Sequence, residues 1–274
     1  MALDNPAFSR NPVFNGKAKP AEAPTISADG LQTMYDRPAA TTAQTGRMSY
    51  DDTIVKTVLC FVLVLAGAAV TFSLITVFNA PALGFGLTIV GALGAFVLGL
   101  FNSFKREPSP VLVLLYSALQ GLGIGGISAF FEIRWSGIVI QAVLGTLAVF
   151  GVVLALFASG KVRASKRATK VFLVALIGYA VFSLVNLVLM WTNVVPDAFG
   201  LRSVEVFGIP LGLIIGVFAV VLCAYSLVLD FDFIKRGVDS GAPRKFGWTA
   251  AFGLVMTLVW LYLEILRIIA IFRN

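Results

Sequence analysis

The sequence predicts an all-α integral membrane protein with seven transmembrane helices behind a disordered N-terminal tail. Of its 274 residues, 58% are hydrophobic and 13% are charged, whereas a soluble domain carries about a quarter charged residues. After residue 53, uncharged apolar runs of bilayer-spanning length alternate with short polar segments. Lys and Arg are concentrated in alternate polar segments, which is the charge asymmetry of multi-pass membrane proteins.

The N-terminal segment, residues 1–53, is predicted to be a disordered cytoplasmic tail. It is rich in Pro, Ala, Thr, Asn and Gly and poor in aliphatic residues, so it buries too little apolar surface to offset the entropy lost on ordering. Within it, residues 5–8 (NPAF) recur as residues 11–14 (NPVF). We interpret this repeat either as a low-complexity linker or as a docking motif for a protein partner.

Residues 54–274 are predicted to form the transmembrane domain. Each apolar run has close to the length, about 20 residues, that crosses a bilayer as a helix. The second run is the shortest and is rich in glycine, so a tilted or re-entrant segment stays open there. The seven predicted helices span residues 57–77, 83–101, 111–131, 137–159, 171–191, 206–229 and 249–272.

The distribution of basic residues predicts how these helices are oriented in the plasma membrane. The segments before the first helix and after the second, fourth and sixth share one side, and the opposite side holds Arg134, Arg202 and Arg273. Because cytoplasmic loops carry the excess of Lys and Arg, we expect the N-terminus in the cytoplasm and the C-terminus outside. The basic residues on the predicted cytoplasmic side are Arg37, Arg47, Lys56, Lys105, Arg106, Lys161, Arg163, Lys166, Arg167, Lys170, Lys235, Arg236, Arg244 and Lys245.

Composition excludes several classes of function. The chain has no histidine, which removes histidine-based triads, imidazole metal sites and histidine pH switches. Its net charge of +7 comes from loop residues rather than from one amphipathic face, so nucleic acid is not an expected partner. Cys60 and Cys223 fall in apolar runs and are expected to be buried thiols without a disulfide. We expect neither catalysis nor a bound cofactor.

Three acidic residues lie in or at the edge of an apolar run, and each is a candidate functional group. Asp230 and Asp232 follow the sixth run at its cytoplasmic end, and Glu264 lies within the seventh. Charged groups at membrane depth are costly and mark ion pathways or proton relays. Arg267 shares a helix face with Glu264, so Glu264 is either a working carboxylate or one half of a local ion pair.

Asp230 is the stronger candidate of the two aspartates because it lies deeper in its helix. The two side chains project about 200° apart, so they face different surroundings, and both aspartates are also interpreted as a solvated helix end facing Lys235 and Arg236. Lys105 and Arg106 stand at the cytoplasmic end of the second helix. They are interpreted either as loop charges that set topology or as a latch that holds Asp230.

Several short stretches match a known pattern when taken together. They are residues 108–116 (PSPVLVLLY), 120–121 (QG), 125–128 (GGIS), 226–234 (SLVLDFDFI) and 261–269 (LYLEILRII). As a set they resemble the bacterial branch of the Bax inhibitor-1 family, also called the transmembrane Bax inhibitor motif family. The resemblance covers about residues 50–274 and leaves the tail unmatched. The sequence departs from the family at Gln120, where Glu is frequent, and at Glu264, where the family has Asp.

The resemblance implies a central, polar seventh helix surrounded by the other six. It also implies a calcium leak gated by pH through acids on helices six and seven, which correspond to Asp230 and Glu264, with a latch at Lys105 or Arg106. Two carboxylates that share a low-dielectric site keep one proton between them, and calcium prefers such oxygen ligands. Fewer residues follow Glu264 than the family pattern implies, so an alternative is that the seventh helix is shifted along its axis. In that case Asp230 and Glu264 would not meet.

Two other classes of function stay open beside a cation leak. The first is a membrane interaction protein that modulates stress responses or membrane-protein quality control, with the tail as its contact. The second is a secondary transporter, which is disfavoured because the sequence shows no inverted repeat. A retinal protein is excluded because the seventh helix has no lysine for a Schiff base.

Overall fold

Seven long helices make up most of the described part of the chain, and two short antiparallel strands, Glu205–Val206 and Ile209–Pro210, precede the sixth. The computed structural model describes residues 27, 29, 32, 46–195, 197 and 199–273. Each helix is long and apolar enough to cross a membrane, and this confirms the predicted fold class. The helices are α1 (Tyr50–Thr76), α2 (Pro81–Phe104), α3 (Pro110–Arg134), α4 (Ile138–Ala158), α5 (Lys166–Trp191), α6 (Leu211–Asp239) and α7 (Gly247–Phe272).

Helix α1 begins earlier than its apolar run. The Ser49 hydroxyl accepts a hydrogen bond from the backbone N–H of Asp52 at 3.2 Å, so Ser49 caps the helix. Asp51 and Asp52 occupy the first turn, where carboxylates complement the helix dipole. The predicted tail, residues 1–53, therefore extends too far, because residues 50–53 belong to α1. The rest of the predicted disordered segment, including the NPAF and NPVF repeat, lies outside the described residues, apart from positions 27, 29, 32 and 46–49.

Helix α6 continues well past residue 229, where its apolar run ends. Ion pairs at i,i+4 spacing join Asp232 to Arg236 at 2.9 Å and Lys235 to Asp239 at 2.5 Å, and such pairs support a solvated helical turn. The predicted end of the sixth helix is therefore wrong. Asp230 lies within α6 rather than after it.

Helix α2 is a continuous helix of 24 residues. The re-entrant segment that the sequence allowed at this position is not formed. At a rise of about 1.5 Å per residue it is roughly 36 Å long, which exceeds the hydrocarbon thickness of a bilayer. Pro81 at its start fits the first turn because a proline there sacrifices no intrahelical hydrogen bond.

Charged residues join several segments at one end of the bundle. Lys56 bonds to the Asp52 carboxylate and donates to the carbonyl of Arg244 at 2.7 Å, while Arg244 Nη2 lies 2.7 Å from Asp52 Oδ1. Lys245 pairs with Glu107 at 2.8 Å, and its ammonium group holds the pKa of that carboxyl below its usual value. We call this end, which carries the α2–α3, α4–α5 and α6–α7 loops, the basic end.

Glycine allows α1 and α3 to approach closely. A Cβ atom added at Gly121 would lie 2.2 Å from the carbonyl oxygen of Val64, and one at Gly67 would lie 2.6 Å from that of Ala118. Small residues at helix crossings let backbones come together in membranes. The glycines of α3 and α1 thus let the two helices pack at backbone distance.

Helix α7 occupies the centre of the bundle. It packs against α1, α3, α4 and α6, and it contributes fully buried side chains such as Leu261, Leu266 and Val255. Helix α5 is peripheral, because 11% of its apolar stretch is buried inside the protein compared with 44% for α7. The two helices nevertheless meet through polar side chains.

Candidate functional site

Asp230 lies between α6 and α7. Its carboxylate accepts a hydrogen bond from Thr257 Oγ1 of α7 at 2.7 Å, and Ser226, one turn away on α6, is 3.3 Å from the same hydroxyl. Gly253 on α7 leaves room for the acid, because a Cβ there would stand 3.0 Å from Asp230 Oδ1. In the described part of the chain, Asp230 forms no ion pair with Lys or Arg. It is a half-buried carboxylate held by a neutral donor.

Asp232 points away from Asp230, as their helical spacing predicted. It forms its ion pair with Arg236, whose side chain is 70% exposed, and it lines a cavity beside α5 rather than the contact with α7. Its charge is therefore balanced by an exposed partner. Of the two aspartates, Asp230 faces the interior of the bundle.

Glu264 is the most deeply buried acid of the described chain, at 1% exposure. Its Oε1 accepts hydrogen bonds from Tyr179, from Trp260 Nε1 at 3.2 Å and from Arg267 Nη1 at 2.9 Å. Arg267 Nη1 also lies 2.9 Å from Oε2, and Arg202 Nη1 is 3.7 Å from Oε2. The carboxylate is thus neutralised by two guanidinium groups.

Arg202 enters this cluster from the segment between α5 and α6. It lies in a 3-10 turn, Gly200–Ser203, and is 4% exposed. Its Nη2 donates to Tyr179 at 3.2 Å and to Ser183 at 3.0 Å. The sequence assigned Arg202 to an external loop, so its role in the bundle was missed.

Two residues, Gly200 and Asn186, explain why the 3-10 turn that carries Arg202 folds towards the bundle. Gly200 has a φ of +60°, and a Cβ there would lie 2.5 Å from Asn186 Oδ1. Asn186 of α5 accepts from the N–H of Leu201 at 2.7 Å and donates to the carbonyl of Phe199 at 3.3 Å. Asn186 of α5 therefore fastens the turn that carries Arg202.

The structure does not bring Asp230 and Glu264 together. Thr257, the partner of Asp230, precedes Glu264 by seven residues on α7, which is roughly 10 Å along the axis. Each acid has its own set of partners. The implied pair of carboxylates is therefore not formed, because α6 and α7 pack in a register that leaves two helical turns between them.

The expected latch is not formed either. Lys105 and Arg106 are exposed, and neither belongs to an ion pair within the described residues. The loop they occupy is instead held by Glu107 and Lys245. The described chain also has no group of three or more His, Cys, Asp or Glu residues that could hold a metal ion.

The match to known proteins extends over nearly the whole chain. A family profile described as Bax inhibitor 1 like matches residues 5–274, and no curated protein matches the chain. The match begins at residue 5, so it also covers the tail, which was expected to lie outside the resemblance. With seven membrane-spanning helices and this match, the chain is a multi-pass membrane protein that belongs to the Bax inhibitor 1 like family.

Proposed function

We propose that the protein is a passive, pH-sensitive cation leak in which Asp230 is the titrating group. The observation that carries this proposal is the Asp230 carboxylate, which is half-buried between α6 and α7 and forms no ion pair with a cationic side chain of the described chain. Unbalanced carboxylates at membrane depth mark cation and proton pathways. The family resemblance supports the same assignment.

Glu264 takes no part in the proposed gate. Its charge is balanced by Arg267 and Arg202, so it offers a cation no net attraction. The proposed gate therefore depends on one acid, Asp230, instead of the coupled pair of Asp230 and Glu264 that the resemblance implied. Ionised Asp230 attracts a cation, and the protonated acid does not, so flux rises as pH rises.

Calcium is the ion we propose on chemical grounds. The Asp230 carboxylate and the Thr257 hydroxyl are hard oxygen donors, which calcium prefers. Tight calcium sites gather six or more oxygen ligands, and a single carboxylate gives weak, short-lived binding. Weak binding suits conduction, because an ion that enters must also leave.

The test is calcium flux into proteoliposomes at several pH values. Asp230→Asn keeps the shape and removes the charge, so flux through this variant should lose its pH dependence and stay at the low-pH level. Asp232→Asn is the matched control, since it removes a carboxylate of the same helix that faces Arg236 instead of α7. An Asp230→Asn protein that inserts and keeps the wild-type pH response would refute the gate.

A second function, that of an interaction protein acting through its N-terminal tail, is favoured by the family match from residue 5. Deleting residues 1–45 separates the two functions while sparing Arg47, Met48 and Ser49, which pair with the α6–α7 loop or cap α1. A cation leak survives this deletion. A tail-mediated interaction with stress-response or quality-control proteins does not.

We further propose that the protein lies in the plasma membrane with its basic end in the cytoplasm. Lys161→Cys at the basic end and Glu205→Cys at the opposite end introduce exposed thiols, whereas the native Cys60 and Cys223 are fully buried. A membrane-impermeant maleimide should label position 205 in intact cells and position 161 only after the membrane is breached. The opposite pattern would reverse the orientation.

A further inference from the structure

A cavity of about 640 Å³ opens at the basic end between the first turns of α5 and the last part of α6. Its lining includes Lys166, Arg167 and Lys170 from α5 and Asp232 and Arg236 from α6. We propose that this cavity binds the phosphate of an anionic phospholipid headgroup. The proposed site is separate from Asp230 and does not depend on a cation leak.

The charge of the lining is unbalanced. Asp232 is the acidic residue of the lining and already pairs with Arg236 at 2.9 Å. In the described chain, Lys166, Arg167 and Lys170 form no ion pair. Three basic side chains therefore surround one cavity without an anion to neutralise them.

The position of these residues on α5 strengthens the requirement for an anion. Lys166, Arg167 and Lys170 lie at the start of the helix, whose first turn contains no acidic residue. A helix N-terminus carries partial positive charge, so cations there are unfavourable and anions are stabilised. A phosphate in the cavity would offset both the side-chain charges and the helix dipole.

The apolar part of the lining favours a lipid over a dissolved anion. Leu173 of α5 and Leu229 of α6 line the cavity beyond the basic residues, on the side of the membrane-spanning segments. Helix α5 is the least buried of the seven spans, at 11%, so its surface is available to acyl chains. Basic pockets between transmembrane helices bind anionic headgroups in this way.

The experiment measures lipid retained by the full-length protein. Protein is reconstituted in phosphatidylcholine nanodiscs that contain increasing amounts of phosphatidylglycerol, and bound lipid is counted by native mass spectrometry after release into detergent. The test variant is Arg167→Gln with Lys170→Gln. The matched control is Lys105→Gln with Arg106→Gln, which removes two exposed charges from the same end outside the cavity.

The wild-type protein and the control should retain phosphatidylglycerol in preference to phosphatidylcholine. The cavity variant should bind phosphatidylglycerol about 30-fold more weakly, because each of the two basic side chains near an anionic surface contributes roughly fivefold. Equal retention by the cavity variant and the wild type would overturn the site. Equal losses in both variants would show that only total charge matters, which would also overturn it.

A competition arm distinguishes a headgroup from free phosphate. Inorganic phosphate added to the wild-type protein should leave the retained phosphatidylglycerol in place, because it gains none of the contact with Leu173 and Leu229. Displacement of the lipid by inorganic phosphate would replace the lipid assignment by that of a soluble anion site.

Discussion

Replacing Glu264 by Gln should destabilise the protein by about 3 kcal/mol. The amide keeps the volume of the side chain and removes the charge that balances Arg202 and Arg267, which are 5% and 30% exposed at their side chains. Breaking a buried ion pair from one side leaves an uncompensated charge, and at membrane depth that charge is expensive. Arg267 is partly exposed, so most of the loss comes from Arg202. Thermal unfolding in detergent micelles and the yield of monodisperse protein measure the effect.

The control for Glu264→Gln is Asp239→Asn, which breaks the exposed pair with Lys235. Exposed ion pairs contribute between zero and about 1 kcal/mol, so this variant should unfold close to the wild-type temperature. A double variant, Glu264→Gln with Arg202→Gln, removes one of the two unpaired cations and should be more stable than Glu264→Gln alone. A Glu264→Gln protein as stable as Asp239→Asn would show that the cluster is not a structural ion pair.

The same variant also separates structure from function. Because Glu264 is not the titrating group in the proposed leak, Glu264→Gln protein that does insert should keep the pH dependence of calcium flux. Asp230→Asn should show the reverse, with normal stability and no pH response. Asp230 and Glu264 would then have different roles, Glu264 in folding and Asp230 in conduction.

The number of helices followed from the sequence because each apolar run must match the bilayer thickness. The end of α6 could not be predicted in the same way, because hydropathy falls at Asp230 while the helix continues to Asp239. The ion pairs Asp232–Arg236 and Lys235–Asp239 support this last part of the helix. Hydropathy measures where a helix leaves apolar surroundings. It does not measure where the helical hydrogen bonds end.

The candidate site was harder to predict because it depends on helix register. The sequence singled out Asp230 and Glu264 because a charged side chain in an apolar run is energetically costly. Which residues face these two acids depends on how α6 packs on α7. Arg202 gave no local signal, since its burial depends on a turn fastened by Asn186 of α5. Arg267, three residues after Glu264 on the same helix face, was a sequence feature that allowed Glu264 a partner other than Asp230.

Replacing Gly121 by Ala should have an effect of similar size on the packing of α1 against α3. The added Cβ would lie 2.2 Å from the Val64 carbonyl oxygen and 2.9 Å from its carbonyl carbon, and backbone atoms cannot move aside as a flexible side chain can. The two helices would have to move apart and press on the helices packed around them. Overpacking of this kind lowers the free energy of unfolding by about 3 kcal/mol. The midpoint of thermal unfolding in detergent and the fraction of protein recovered as a single species report the loss.

Gly151→Ala is the control that isolates the crossing contact. Gly151 lies inside α4, and a Cβ there meets no atom within 4 Å. Alanine favours a helix over glycine by about 1 kcal/mol, so Gly151→Ala should leave the protein unchanged or slightly more stable. If Gly121→Ala shifts the unfolding temperature no more than Gly151→Ala does, α1 and α3 do not meet at backbone distance. In that case close packing through glycine would not hold the first and third helices together.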